Sequence, residues 1–206
     1  MIRAVLFDAD GCLIDACQLH RTAFAMAVES VTGYHVTPED EQKLEGLPTR
    51  NKLLVLSNQG SVEHLDFDRI NARKQYLTKE MIPHHIRYSE PIAHMFRCLR
   101  RKGIKIGIVT NCTRDTVELM LRLTGASDYD VLITNEDVEH PKPDPEGLVA
   151  AMTALDMGLD REDVIYVGDN PVDAKAAIAA EIDNYIHVSS PNQVCYELLR
   201  CRVSKY

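Results

Sequence analysis

Asp8 and Asp10 stand two residues apart at the end of an apolar run, Ile2 to Phe7 broken only by Arg3, and Gly11 follows them. The run reads as a buried strand that delivers both carboxylates to its C-terminal tip, with Gly11 letting the backbone turn sharply and come close to a ligand. Two acids on one strand end can hold a hard cation and serve phosphoryl chemistry. The same acids can also simply accept backbone N–H groups in a strand-to-helix loop, because Asp-x-Asp-Gly is a short pattern.

Three later segments add to this pair. Ile104 to Val109 is a second strand-like run, and it ends in Thr110-Asn111, a hydroxyl and an amide offered just past its tip. His140-Pro141-Lys142-Pro143-Asp144-Pro145 sets one lysine in a proline-stiffened loop ahead of a helix, where proline near the first turn is well tolerated. Asp163 to Val167 leads into Gly168-Asp169-Asn170-Pro171-Val172-Asp173, which brings two more carboxylates. Each piece alone has a plain structural reading. Thr110 could start a helix, Lys142 could be a solvated charge, and Asp169 or Asp173 could cap the helix that opens near Pro171. In this order, each after an apolar strand, they point together to one site.

The elements that must carry these residues alternate. Strands are predicted at about 2–7, 104–109, 130–134, 163–167 and 184–188, with helices between them at about 89–102, 113–124, 145–157 and 171–180. That pattern is an α/β fold, a doubly wound parallel sheet with helices on both faces. Right-handed crossovers then bring the motif-bearing strand ends to one edge. Residues 16–87 break the alternation: Ala16–Val31, Pro38–Leu44, Thr49–Ser57 and Phe67–Met81 read as helices with no strand among them. The expected domains are therefore a core of residues 1–15 and 88–206 and a helical module of 16–87. Hinges are expected near Asp15-Ala16 and Ser89-Glu90-Pro91, with the module set over the sheet edge. A last helix is expected from Val194 to Arg202.

Asp8-x-Asp10-Gly11, Thr110-Asn111, Lys142-Pro143 and Gly168-Asp169-x-x-x-Asp173 resemble, in order, the four motifs of the haloacid dehalogenase (HAD)-type phosphohydrolase superfamily, over about residues 2–188. Within it the chain is similar to the β-phosphoglucomutase and phosphoglycolate-phosphatase branch, whose members carry a Rossmann-like HAD core and insert a helical cap domain just after the first motif. The resemblance implies a phosphatase of small phosphomonoesters, such as sugar phosphates. Asp8 would attack phosphorus and form an aspartyl-phosphate. Asp10 would protonate the leaving oxygen and then deprotonate water. Thr110 and Lys142 would hold the phosphoryl oxygens, with Asn111 beside the substrate. Mg²⁺ suits such an all-oxygen site, and Asp8, Asp169 and the main-chain carbonyl of Asp10 would ligate it. Asp173 is expected behind these groups, orienting Lys142 or a metal-bound water.

In the module, Leu44-Glu45-Gly46-Leu47-Pro48-Thr49-Arg50 looks like the loop by which β-phosphoglucomutase-like caps reach a distal phosphate. Arg50 is thus a candidate substrate-binding residue. His20 and Lys74 stand where that branch carries a histidine linked to the acid/base and a lysine near the sugar. All three could equally be solvated helix-surface residues. Thr110-Asn111 and the late acid Asp173 depart from the mutase pattern, so a hexose-phosphate mutase is the alternative rather than the first expectation. A non-catalytic binding protein on the same fold is less expected still.

Composition agrees with a globular enzyme. At 206 residues the chain can bury roughly 70% of its unfolded surface, enough for a core plus a small appended domain. The net charge of −8 and the lack of a basic run argue against nucleic acid. No apolar stretch approaches the roughly 20 residues of a membrane span, and the first residues lack the long apolar region of a signal peptide. The expectation is a cytoplasmic protein, monomer or weak dimer, with a small phosphorylated metabolite as partner. Six cysteines without a Cys-x-x-Cys pair read as reduced thiols. Cys112 adjoins Asn111, which would set it close to the site, though packing is the expected role.

Overall fold

β1 (Ala4–Phe7) lies at the centre of a five-stranded parallel sheet in the order β3-β2-β1-β4-β5. β2 (Lys105–Val109) flanks it on one side and β4 (Val164–Gly168) on the other, with Leu6 opposite Gly107 and Tyr166. β3 (Val131–Ile133) and β5 (Tyr185–His187) form the two edges. The computed structural model describes residues 2–156 and 161–200. All four residues of β1 are fully buried, which explains why its sequence is continuously apolar rather than alternating. The chain steps outward from β1 through β2 to β3, then returns to the far side for β4 and β5. This places a topological switch point at the carboxyl end of β1, where open α/β sheets form their crevice.

Around the sheet run α5 (Glu90–Arg101), α6 (Arg114–Thr124), α7 (Glu146–Ala154), α8 (Pro171–Ala179) and α9 (Pro191–Arg200), preceded in the chain by the four helices of a second unit. One core cluster joins Leu6, Val109, Leu148, Ala151, Tyr166 and Ala176. Phe7 stacks on Phe96 of α5, with ring centroids 5.8 Å apart. A Cβ at Gly107 would lie 2.5 Å from the Leu6 side chain, so glycine there lets neighbouring strand residues close. α9 opens three residues before the predicted start, because Pro191 fits the first helical position. Positions 201 and 202 of that predicted helix, and position 157 of the one before β4, lie outside the described residues.

The chain divides into two compact units, one made of the residues up to Asp15 together with those from Ile86 on, the other of Ala16–His85. The second unit is helical throughout: α1 (Cys17–Thr32), α2 (Pro38–Leu44), α3 (Thr49–Asn58) and α4 (Phe67–His85). Its core gathers Phe24, Ala27, Val28, Leu53, Leu56 and Ile70. Thr37 and Asp40 form a capping box at α2, and Tyr34 donates to the same Asp40 carboxylate at 2.7 Å. α4 runs four residues past its predicted end and through Pro83. A proline in the last turn forfeits only one hydrogen bond of the ladder, which the packed helix tolerates. Among the described residues no helix is long and apolar enough to cross a membrane.

Candidate active site

Asp8 follows β1 directly, and its N–H donates to Val167 O at 2.8 Å, extending the ladder with β4 by one residue. The side chain is thereby fixed at the sheet edge, 7% exposed. Gly11 then turns the chain with a φ of 81°, a conformation other residues adopt only under strain. A Cβ on Gly11 would overlap the Asp169 carboxylate. Glycine is needed there both for the turn and to let the Asp10 loop lie against Asp169.

Lys142 is the centre of the site. Its Nζ donates to Asp8 Oδ1 at 2.6 Å, Asp173 Oδ1 at 2.7 Å, Val109 O at 3.0 Å and Tyr166 OH at 3.1 Å. Asn111 holds the lysine loop from below: its Nδ2 donates to Lys142 O, and Lys142 N–H donates to its Oδ1, both at 3.0 Å. The amide expected beside a substrate is thus also engaged at both ends with the Lys142 main chain, where it sets that loop. The buried Thr110 hydroxyl accepts from Cys112 N–H at 3.1 Å, which leaves its proton for another acceptor. Asp173 combines two of the expected roles. Its Oδ2 accepts from Asn170 N–H at 3.0 Å in the capping box of α8, while its Oδ1 takes Lys142 and the Tyr166 hydroxyl.

Oxygens of Asp8, Asp169 and Asp173 all lie within 4.8 Å of one another. Burial raises the Asp8 carboxyl well above its ordinary range, opposed by Lys142 and reinforced by the neighbouring acids. Burial, then the Asp173 charge, pushes Asp169 up to about 6. For Lys142 burial works to lower the pKa, but Asp173 and Asp8 outweigh it and the ammonium is held well above the usual value. One buried cation thus faces several carboxylates, an imbalance that a further cation would relieve. Hard oxygen donors at this spacing fit a divalent metal ion, with Asp169 and Asp8 the better ligands because both Asp173 oxygens already accept protein donors.

Asp10 lies just beyond, bridged to Ile14 through the backbone. The Cys112 thiol donates to its Oδ2 at 2.8 Å. Cys112 thus meets the acid of the first motif, a contact the sequence, read for packing, did not predict. Tyr166 was missed as well. Its signal was present in the chain, as one hydroxyl in the otherwise apolar strand Val164–Gly168, because a buried phenol needs a partner.

In the helical unit, Lys74 is buried and its Nζ lies 3.4 Å from His20 Nδ1. Arg50 sits exposed in the first turn of α3. Two cations that the sequence did not single out accompany them. Arg21 pairs with Glu45 at 2.6 Å. Lys52 lies over the Phe24 ring, 5.4 Å from its centroid, and burial together with the Lys74 and Arg21 charges lowers its pKa to about 8.

A model of the haloacid dehalogenase-like hydrolase family matches residues 5–186. The pyrophosphatase PpaX of Bacillus velezensis is 31% identical over 176 residues, which cover 85% of this chain and 78% of that protein. A Bacteroides fragilis protein described as a haloacid dehalogenase-like hydrolase has a solved structure that superposes with a TM-score of 0.78 at 26% identity, covering 96% of this chain and 93% of that one. The β-phosphoglucomutase of Clostridium difficile superposes with a TM-score of 0.79 at 19% identity over 97% and 96% of the two chains, a likeness of fold alone. The chain belongs to the haloacid dehalogenase-like hydrolase family, and within it is a phosphohydrolase.

Proposed function

We propose that this protein is a Mg²⁺-dependent phosphatase that hydrolyses small phosphomonoesters through an aspartyl-phosphate on Asp8. The observation that carries this reading is the Lys142 ammonium held 2.6 Å from Asp8 among three clustered carboxylates. Such a site can receive a dianionic phosphoryl group beside a carboxylate nucleophile. An Asp8 oxygen attacks phosphorus and the bond to the leaving oxygen breaks, while Asp10 delivers a proton to that oxygen. Asp10 then takes a proton from water, which attacks the aspartyl-phosphate, releasing inorganic phosphate and freeing Asp8. Lys142 and the Thr110 hydroxyl hold the phosphoryl oxygens through both displacements. Mg²⁺ held by Asp8, Asp169 and the Asp10 carbonyl would offset the repulsion between nucleophile and phosphoryl group. Asp173 keeps Lys142 in place from behind.

The helical unit is assigned the role of a cap, with Arg50, His20 and Lys74 as its substrate-binding residues. A second reading concerns the substrate. Similarity to proteins named pyrophosphatase PpaX favours inorganic pyrophosphate, whose leaving group is phosphate and needs less help from Asp10. Release of inorganic phosphate with Mg²⁺ from a panel of pyrophosphate, phosphoglycolate, hexose phosphates and an aryl phosphate separates these readings. Preference for a monoester supports the first, preference for pyrophosphate the second. Isomerised sugar phosphate forming faster than free phosphate would favour a mutase over both.

A further inference from the structure

We propose that Tyr166 is a positioning residue for this reaction, its hydroxyl dividing the Lys142 ammonium between Asp173 and Asp8. The inference rests on the reading of Asp8 as nucleophile and Lys142 as phosphoryl-binding cation. β4 is a fully buried parallel strand whose other members are Val164, Ile165, Val167 and Gly168. Phenylalanine would fill the same volume without a polar atom to satisfy. A buried hydroxyl stabilises nothing unless it is hydrogen-bonded, so its partners show what it does. Here they are two charged groups of the site: the phenol donates to Asp173 Oδ1 at 2.6 Å and accepts from Lys142 Nζ at 3.1 Å. The ammonium also lies over the Tyr166 ring, 5.9 Å from its centroid. The ring itself is held by Tyr185, at 5.8 Å between centroids.

An ammonium has three N–H groups, and Lys142 has four acceptors within 3.1 Å. Asp173 Oδ1 is claimed by both the lysine and the phenol. By donating its own proton to that oxygen, Tyr166 meets part of Asp173's demand and leaves more of the ammonium directed at Asp8. Without the hydroxyl, Lys142 loses a neutral acceptor at 3.1 Å, but Asp173 Oδ1 loses a donor at 2.6 Å, and the stronger pull of the charged oxygen draws the ammonium toward Asp173 and away from the reacting group. A contact that matters where charge develops on the phosphoryl oxygens lowers kcat more than it alters KM.

Tyr166→Phe keeps the ring and removes only the hydroxyl. Its kcat on the best substrate should fall about tenfold with KM changed less than about twofold. Its melting temperature should stay within a few degrees of the parent. If Tyr166 works through Asp173, the double variant Tyr166→Phe, Asp173→Asn should be no slower than Asp173→Asn alone, because the neutral amide no longer competes for the ammonium. A kcat for Tyr166→Phe within twofold of the parent would overturn the proposal. So would losses that multiply in the double variant, or loss of the fold with Tyr166→Phe, which would make the hydroxyl a structural group. Asp8→Asn is measured alongside: activity surviving there breaks the underlying reading, whereas an inactive Asp8→Asn with a fully active Tyr166→Phe breaks this inference alone.

Discussion

The Nζ of Lys142 donates to Oδ1 of Asp8 at 2.6 Å, although the two stand 134 positions apart in the chain. Both side chains are more than nine-tenths buried, and the same ammonium also meets Asp173 at 2.7 Å. Lys142→Met therefore leaves two buried carboxylates facing each other without their shared cation. Breaking a buried pair in this way costs about 3–5 kcal/mol. The variant should melt well below the parent and be inactive, and added Mg²⁺ should recover more of its stability than it adds to the parent. An equally stable variant would mean that the carboxylates are neutral or otherwise compensated.

Asp10 and Cys112 make a prediction about leaving groups. Asp10→Asn should slow alkyl phosphates about 10²- to 10⁴-fold, the usual worth of a positioned general acid, and an activated aryl phosphate far less. The Cys112 thiol donates to Asp10 Oδ2, so Cys112→Ala should produce a milder loss with the same bias, and Cys112→Ser should recover most of it. Equal losses on alkyl and aryl esters would remove the acid role from Asp10.

Oxygens of Asp8, Asp169 and Asp173 within 4.8 Å of one another lead to a prediction of metal dependence. Chelation should stop turnover, and Mg²⁺ at a hundred times its dissociation constant should stabilise the fold by about 2.7 kcal/mol, read as a rise in melting temperature. Asp169→Asn should abolish that rise. Calcium should bind and inhibit, because its larger and looser shell disturbs in-line geometry. Full activity in excess chelator would contradict the metal assignment.

The site's frame was legible because each of its residues follows an apolar strand, and parallel strands joined by right-handed crossovers put their tips at one edge. Asp8, Thr110, Lys142 and Asp173 could be gathered by that rule alone. What lay hidden depends on side-chain direction and on neighbours far apart in sequence. Tyr166 was given no role in its strand, and only the fold brings its hydroxyl to Asp173 and Lys142. Asn111 was expected beside a substrate, and the pairing of its amide with the Lys142 peptide gave no signal in the sequence. α4 continues past Met81 to His85, through Pro83, a residue that breaks helices by type but costs little in a final turn. Lys52 gave no signal at all, since its pKa reflects burial and cations brought near by folding.

Lys52 supplies the pH prediction. Its pKa is lowered from 10.5 to about 8, by burial first and then by Lys74 and Arg21, against the smaller pull of Cys17 and Glu45. Between those two values the unfolded chain holds a proton that the folded one has released, so stability rises with pH across that window. Below about 8 the full cost of burying the ammonium is present. Lys52→Met should therefore stabilise the protein at neutral pH by about 1–3 kcal/mol, and the gain should vanish above pH 10.5. Urea titrations at pH 7 and pH 10.5 check this; a variant less stable at pH 7 would show that the amine has a compensating partner.

The central claim is that Asp8 carries the phosphoryl group, and trapping tests it most directly. Enzyme turning over its best substrate with Mg²⁺ is quenched with labelled borohydride, which reduces an acyl phosphate but not a free carboxylate, and its peptides are mapped by mass spectrometry. Label confined to Asp8, dependent on substrate and absent from Asp8→Asn, is the predicted result. Sustained turnover with no label on Asp8, or label on another residue, would contradict the account.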